Sequence, residues 1–266
     1  MAYTNHDGVR LYWQEVGRGE PLLLIMGLGA THEWWGRVTS AVSPYFRTIL
    51  FDNRGVGKSD VPPGPYTIPG MADDAVAVLD AAGVESAHVF GASMGGMIAQ
   101  ELALRHPHRV RSLILGCTAC GGRESTPARR EVIDALGVRA ATTREEAIRI
   151  MVPYIFDAST PRDLVEEDIA LRMRTHVPNE GYFAQLAAIR SWSGTHARLA
   201  TLNVPTLVIH GETDELVPAA NGRVVAAAIP NASLVMLPNA SHIFFTDQYP
   251  ASTDAILSFL GVRAAV

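Results

Sequence analysis

The stretch AHVFGASMGGMIAQELA, residues 87–103, decides the fold. Its first five residues are typical of a strand, whereas the apolar residues from Met97 onward recur at the spacing of a helix. Ser93 therefore lies at the corner between a strand and a helix, and Gly91 and Gly95 stand two residues to either side of it. The stretch predicts a strand–turn–helix unit with a serine at its corner.

The rest of the chain alternates apolar runs with helical patterns. The predicted strands cover residues 9–16, 21–26, 47–52, 87–91, 111–116, 205–210 and 232–238. Helices are predicted between them, including 71–82 and 94–105, the second of which ends before Pro107. Most of the later strands are continuously apolar, as strands buried on both faces are. This alternation predicts an α/β fold with a doubly wound, mostly parallel sheet.

Residues 121–196 interrupt the alternation. They contain helical patterns near 127–137, 143–152, 160–175 and 180–192, and Thr143 with Glu146 makes a capping-box sequence. We expect an α/β core formed by residues 1–120 and 197–266, with residues 121–196 as an inserted helical lid. Ligands bind beyond the carboxyl ends of the strands in open α/β sheets, so such a lid would cover Ser93.

Composition narrows the classes of function. The 266 residues fit one α/β domain with an insertion, and the net charge of −5 argues against a nucleic-acid partner. No apolar run approaches the length of a membrane span, so no membrane partner is expected. The polar start lacks a signal-peptide pattern, which predicts a cytoplasmic protein.

The two cysteines, Cys117 and Cys120, have the C-x-x-C spacing of a redox or zinc motif. Zinc needs about four ligands, and the sequence offers no second pair with ligand spacing. We interpret them as two small reduced residues at a strand end, so no metal is expected.

The segment GASMG, residues 91–95, resembles the nucleophile elbow of the α/β-hydrolase fold, because the G-x-S-x-G pattern follows a strand and opens a helix. The resemblance implies that the backbone of Ser93 is strained and its Oγ exposed at the top of the sheet. It also implies that side chains at Gly91 and Gly95 would collide where strand and helix pack closely.

The same resemblance implies a triad in the chain order serine, acid, histidine. Asp214 follows the predicted strand 205–210, and His242 follows the strand 232–238. Asp214 would hold His242, which would take the proton of Ser93. The alternatives are Glu212 or Glu215 as the acid and His210 as the base.

Two backbone N–H groups would form the oxyanion hole, those of Met94 and Leu28. Leu28 lies in the loop IMGLGATHEWW, residues 25–35, where Met26 replaces the histidine that is common in the family. That replacement suggests an apolar site, although Met26 can equally be packing filler. Other departures from the family pattern are Ser241 in place of glycine and Asp247 in place of glutamate.

The candidate pocket residues are apolar or aromatic, and each could equally be ordinary core. They are Trp34, Trp35, Met94, Tyr154, Phe156, Trp192, Ile243 and Phe244.

The chain most resembles small bacterial serine carboxylesterases and lactonases, including the 3-oxoadipate enol-lactonase group. This implies a hydrolase of small to medium, largely apolar carboxylic esters or lactones, working through an acyl-enzyme without a cofactor. A C–C bond hydrolase, a thioesterase, a cofactor-free perhydrolase and a slow-turnover receptor for small molecules stay open. The enol-lactonase group would imply an acidic substrate anchored by lid arginines. The lid arginines considered are Arg129, Arg130, Arg149 and Arg190, whose orientation the sequence leaves open, as it does the oligomeric state.

Overall fold

A computed structural model describes residues 2–262 of the chain, which form one eight-stranded sheet with helices around it. The strands are β1 (Ala2–His6), β2 (Val9–Val16), β3 (Glu20–Ile25), β4 (Phe46–Phe51), β5 (Ala87–Ala92), β6 (Val110–Gly116), β7 (Thr206–Gly211) and β8 (Ser233–Leu237). Their order is β1-β2-β4-β3-β5-β6-β7-β8. β2 is antiparallel to both of its neighbours, and the remaining pairs are parallel. The predicted mostly parallel sheet is confirmed.

Helices cover both faces of this sheet. They are α1 (Gly36–Val42), α2 (Ile68–Ala81), α3 (Met94–Arg105), α4 (Arg130–Gly137), α5 (Arg144–Ile155), α6 (Arg162–Arg174), α7 (Asn179–Ser191), α8 (His196–Leu199), α9 (Ala220–Ala228), α10 (Phe244–Asp247) and α11 (Tyr249–Phe259). Successive residues of β3 point to opposite faces. Leu23 belongs to the core that includes α2 and α3, whereas Leu24 belongs to the core that includes α1 and α11. The sheet is therefore doubly wound, as predicted.

Two elements differ from the sequence prediction. β1 was not predicted, because its residues alternate between half-buried and exposed at the edge of the sheet. α2 begins at Ile68 and not at residue 71, because the side chain of Thr67 accepts a hydrogen bond from the Gly70 N–H at 3.0 Å and caps the helix there.

Helices α4 to α7 lie between β6 and β7, in the segment 121–196 that we call the helical insertion. The capping box of α5 is confirmed, since the Thr143 N–H donates to Glu146 at 2.9 Å and the Glu146 N–H donates to Thr143 at 3.3 Å. A cavity lies between the carboxyl ends of β5 and β6 and the helices of this insertion. Within residues 2–262, none of the helices is long and apolar enough to cross a membrane.

Candidate active site

Ser93 lies between β5 and α3 with φ of 58° and ψ of −122°. A serine with positive φ is strained, so the surroundings must hold it in place. Its N–H donates to the carbonyl of Gly116 at 2.9 Å, and its own carbonyl accepts from the Thr118 hydroxyl at 2.8 Å. The end of β6 therefore fixes the backbone on both sides of the serine.

Gly91 and Gly95 lie where β3, β5 and α3 approach most closely. A Cβ atom on Gly91 would overlap the carbonyl oxygen of Gly95, and one on Gly95 would overlap the carbonyl oxygen of Ile25. Neither neighbour is a flexible side chain that could move away. The strained turn of Ser93 thus depends on both glycines.

Asp214 and His242 follow the carboxyl ends of β7 and β8. Both residues are buried, and the Nδ1 of His242 lies 2.8 Å from the Oδ2 of Asp214. The other oxygen of Asp214 accepts from the Val217 N–H at 2.8 Å. Burial alone would raise the pKa of Asp214, but the charge of His242 and hydrogen bonds from His210 and His242 hold it below its ordinary value. Asp214 is therefore an ionised acceptor beside His242.

The alternative acid and base residues do not line the cavity. His210 is fully buried behind Asp214, where its Nε2 donates to the carbonyl of Val217 at 2.8 Å and lies 3.3 Å from Asp214 Oδ2. Glu215 forms an ion pair with Arg129, and the side chain of Glu212 is exposed. The geometry favours the pair formed by Asp214 and His242.

The loop at residues 26–30 lies directly against Ser93. A Cβ atom on Gly27 would be 3.0 Å from the Cβ of Ser93. The loop is held by Asn53, which donates to the carbonyl of Met26 at 2.9 Å, and by Gln185, which accepts from the Gly29 N–H at 2.9 Å.

The N–H groups of Leu28 and Met94 are available as donors at this corner. Leu28 belongs to the held loop, and Met94 is the first residue of α3. Among residues 2–262, neither N–H group has a hydrogen-bond acceptor. A helix N-terminus also favours negative charge. Both groups are therefore free to donate to an anion.

Ser93 and His242 line one and the same cavity. Met26, Trp34 and Ile243 also line it. The structure places these predicted residues around the cavity, and Met26 gives its wall an apolar side chain.

Three of the predicted pocket residues, Trp35, Met94 and Phe244, have side chains in the core and do not line the cavity. Trp35 is fully buried and its ring lies 4.7 Å from the ring of Phe90. Phe244 is also fully buried, against Gly116 of β6. The side chains of Trp35 and Phe244 pack in the core on the face of the sheet that also includes Phe90.

Three predicted pocket residues in and after the insertion helices also lie away from the cavity. Tyr154 and Phe156 pack against the core at the end of α5. The indole N–H of Trp192 donates to Glu101 at 2.9 Å. The structure places these three side chains elsewhere, which the sequence could not show because a helical pattern does not say which face of a helix meets which neighbour.

The sequence prediction missed the polar part of the cavity wall. Arg139, Arg144, Arg172 and Tyr182, all from the helical insertion, line the cavity. The arginines considered from the sequence, by contrast, are all exposed: Arg129, Arg130, Arg149 and Arg190. No sequence signal separates the two sets, since both lie in or beside amphipathic helices.

Cys117 and Cys120 are buried free thiols, and Cys117 lines the cavity. Burial, with a contribution from the charge of Asp214, raises the pKa of the Cys117 thiol well above its ordinary value. In the described part of the chain, no three His, Cys, Asp or Glu side chains are grouped so that they could hold a metal ion.

The sequence matches a family model along most of its length. Residues 20–249 match the model of the alpha/beta hydrolase fold. The chain belongs to the α/β hydrolase family. Membership of this family supports a hydrolase activity for the chain. Proteins similar to it in sequence are also named as hydrolases or depolymerases. A poly(3-hydroxyalkanoate) depolymerase of Ectopseudomonas oleovorans is 32% identical over 243 residues, covering 90% of this chain and 84% of that protein.

Solved structures of α/β hydrolases share the whole architecture. A hydrolase from Pseudomonas aeruginosa PA01 has a TM-score of 0.85 and 31% identity, covering 98% of both chains. The enol-lactonase from Burkholderia xenovorans LB400 has a TM-score of 0.85 and 28% identity, covering 98% of this chain and 100% of that one. The α/β hydrolase fold of this chain therefore extends over nearly all of its residues.

Proposed function

We propose that this α/β hydrolase cleaves carboxylic esters or lactones through an acyl-enzyme, with Ser93, His242 and Asp214 as its catalytic triad. The observation that carries the proposal is the buried His242–Asp214 pair, 2.8 Å apart, because His242 lines the same cavity as Ser93. The enol-lactonase and the depolymerase named above support this class of reaction by similarity.

In the first half of the reaction, Ser93 Oγ attacks the substrate carbonyl and His242 removes its proton. Because Asp214 accepts from the Nδ1–H of His242, the imidazole keeps its Nε2 lone pair for that proton. The ionised Asp214 then stabilises the imidazolium that forms. A serine hydroxyl is a weak nucleophile without such a base.

The tetrahedral intermediate places a negative charge on the former carbonyl oxygen. The N–H groups of Leu28 and Met94 would stabilise that oxyanion, and removing one such donor in other enzymes costs about 10²–10³-fold in turnover. When the C–O bond breaks, His242 returns its proton to the leaving alcohol. A water molecule then attacks the acyl-Ser93 carbonyl with His242 again as the base, which releases the acid and regenerates the serine.

The proposal is tested with p-nitrophenyl esters of increasing acyl length. We expect repeated turnover in the native enzyme and a loss of up to about 10⁶-fold in Ser93→Ala. Ser40→Ala is the matched control, because Ser40 is exposed on α1 and its hydroxyl bonds only the carbonyl of Gly36. A single burst of p-nitrophenol, or no release at all, would contradict the esterase and favour a C–C bond hydrolase or a slow-turnover receptor.

A further inference from the structure

One side chain of the helical insertion extends to the loop at residues 26–30, beside Ser93. Gln185 lies on α7 and is fully buried, although it does not line the cavity. Its side-chain amide bonds two backbone groups of the core. The Oε1 accepts from the Gly29 N–H at 2.9 Å, and the Nε2 donates to the carbonyl of Arg54 at 2.8 Å. Gln185 thus connects this loop with the loop that follows β4.

The orientation of the Gln185 amide is fixed by its two partners. A backbone N–H can only donate and a backbone carbonyl can only accept, so exchanging the amide oxygen and nitrogen would break both bonds. A buried polar group without a partner costs free energy, which keeps the side chain in this one arrangement. Gln185 is therefore a rigid connection between the two loops.

The loop that anchors Gln185 on the core side is itself held. The side chain of Arg54 donates to both carboxylate oxygens of the buried Asp74 of α2, at 2.6 and 2.7 Å. The first turn of α7 also packs closely on this loop, since a Cβ atom on Gly181 would overlap the carbonyl oxygen of Gly55. Gln185 is thus attached to a part of the core that has little freedom to move.

These contacts bear on the N–H of Leu28, one of the two proposed oxyanion donors. The peptide before it is held because Asn53 donates to the carbonyl of Met26 at 2.9 Å. The peptide after it is held because the Gly29 N–H donates to Gln185. Peptide units are planar, so fixing both neighbours restricts the rotations that would turn the Leu28 N–H away.

The insertion is also attached to the core at the other end of α7. Trp192, directly after that helix, donates to Glu101 of α3 at 2.9 Å. That bond does not involve the loop at residues 26–30. Attachment of the insertion therefore does not by itself require a contact with this loop, and what Gln185 adds is a fixed peptide next to Leu28.

We propose that Gln185 is a positioning residue that directs the Leu28 N–H toward the oxyanion. The oxyanion hole is then complete only when α7 is packed on the loop, so the helical insertion contributes to the reaction as well as to the cavity wall. This inference rests on the proposed hydrolysis through Ser93.

The first test is Gln185→Met, which keeps a similar shape but cannot donate to Arg54 and offers Gly29 only a weak acceptor. With the best p-nitrophenyl ester, kcat should fall about 10–100-fold, somewhat less than the 10²–10³-fold that complete loss of an oxyanion donor costs. KM should stay within about twofold of the native value, because the lost interaction is made in the transition state. A rise in KM at unchanged kcat would assign Gln185 to substrate binding and overturn the proposal.

A trifluoromethyl ketone with the acyl chain of that ester probes the oxyanion hole directly. Ser93 Oγ adds to its carbonyl, the hydroxyl proton passes to His242, and the former carbonyl oxygen becomes the oxyanion of a tetrahedral adduct. The inhibition constant should rise in Gln185→Met by about the factor by which kcat/KM falls. The corresponding trifluoromethyl alcohol cannot form the adduct, so its affinity should be the same in both proteins.

Two further variants separate the aiming of the donor from the attachment of the insertion. Gln185→Glu keeps an acceptor for the Gly29 N–H and loses the donor to Arg54, so its kcat should lie closer to the native value than that of Gln185→Met. Trp192→Phe removes the bond to Glu101, so it should lower the urea midpoint but leave kcat and KM within about twofold of the native values. Equal losses of kcat in Gln185→Met and Trp192→Phe would show a general effect of attachment and overturn the proposal.

The ketone also separates this inference from the proposed reaction. If no ester is hydrolysed but the ketone binds the native protein more tightly than Gln185→Met, the esterase proposal fails and the positioning role stands. If esters are hydrolysed and Gln185→Met keeps the native kcat and ketone affinity, the positioning role fails alone. If the native protein neither hydrolyses an ester nor binds the ketone, both fail.

Discussion

The cavity has two walls of different origin. Its floor is formed at the carboxyl ends of the strands and carries Ser93, His242 and the loop of Leu28. Its roof is the helical insertion and carries Arg139 and Arg172. The floor is fixed by close backbone contacts, such as that between Gly95 and Ile25. The roof is assembled from separate helices, and one close backbone contact, between Gly181 of α7 and Gly55, also ties it to the core.

This difference separates reaction from specificity. The floor contains the groups proposed to carry out bond cleavage, and their geometry depends on turns that tolerate almost no added atom. The roof lines the rest of the cavity, and the positions of its side chains depend on how separate helices pack together. Changes to the floor should therefore remove activity, while changes to the roof side chains that line the cavity should alter which ester is preferred.

The largest expected effect is on the acid of the floor. Asp214→Asn should lower kcat about 10⁴-fold, because an amide stabilises the wrong tautomer of His242. Steady-state hydrolysis of a p-nitrophenyl ester measures it. Glu215→Gln changes the neighbouring carboxylate, which pairs with Arg129, and should leave kcat within about twofold of the native value. Equal losses in both variants would refute the assignment of Asp214.

The second prediction compares the change in unfolding free energy caused by a Gly→Ala substitution in each wall. Gly95→Ala should reduce the free energy of unfolding by about 3 kcal/mol or more, since its Cβ would overlap the carbonyl of Ile25. Gly137→Ala, at the end of α4, meets no atom within 4 Å and should be neutral or stabilising by about 0.5–1 kcal/mol. Urea denaturation measures both. Similar losses at the two positions would show that the roof is as tightly constrained as the floor.

The smallest effect concerns Asp247, which joins the two walls. Its carboxylate accepts from the N–H of Ser241, next to His242, at 2.7 Å and from the Thr160 hydroxyl of the insertion at 2.7 Å. Burial raises its pKa to about 6. The folded state therefore binds more protons than the unfolded state, and this residue's contribution to stability falls as pH rises from about 4 to about 6.

Asp247→Asn should remove that fall, which we expect to be no more than about 2 kcal/mol given the partial exposure of the side chain. The measurement is the urea midpoint across this pH range, compared between the variant and the native protein. Asp254→Asn is the control, because Asp254 is exposed on α11. A native pH dependence that Asp247→Asn leaves unchanged would contradict the role given to this carboxyl.

The sequence predicted most of the fold because buried strands and backbone motifs are local. The positions of seven strands followed from apolar runs to within one residue at each end, and the strain at Ser93 was implied by the resemblance of residues 91–95 to the nucleophile elbow. The edge strand β1 was not predicted, because its residues alternate between half-buried and exposed and form no apolar run. Each of these outcomes depends on short-range features of the chain.

The roof could not be predicted in the same way. Whether Arg149 or Arg172 faces the cavity is set by how α5 and α6 pack, and both residues fit an amphipathic helix equally well. The same limit explains why Trp192 was expected in the pocket but donates instead to Glu101.

The most direct test of the central claim is to trap the covalent intermediate. Turnover of the most rapidly hydrolysed p-nitrophenyl ester is stopped in acid within milliseconds, and the protein is digested and examined by mass spectrometry. We predict the acyl group of that ester on the peptide that contains Ser93, at a level matching the burst of p-nitrophenol. Hydrolysis of the ester without an acyl group on Ser93, or with the group on another residue, would contradict the claim.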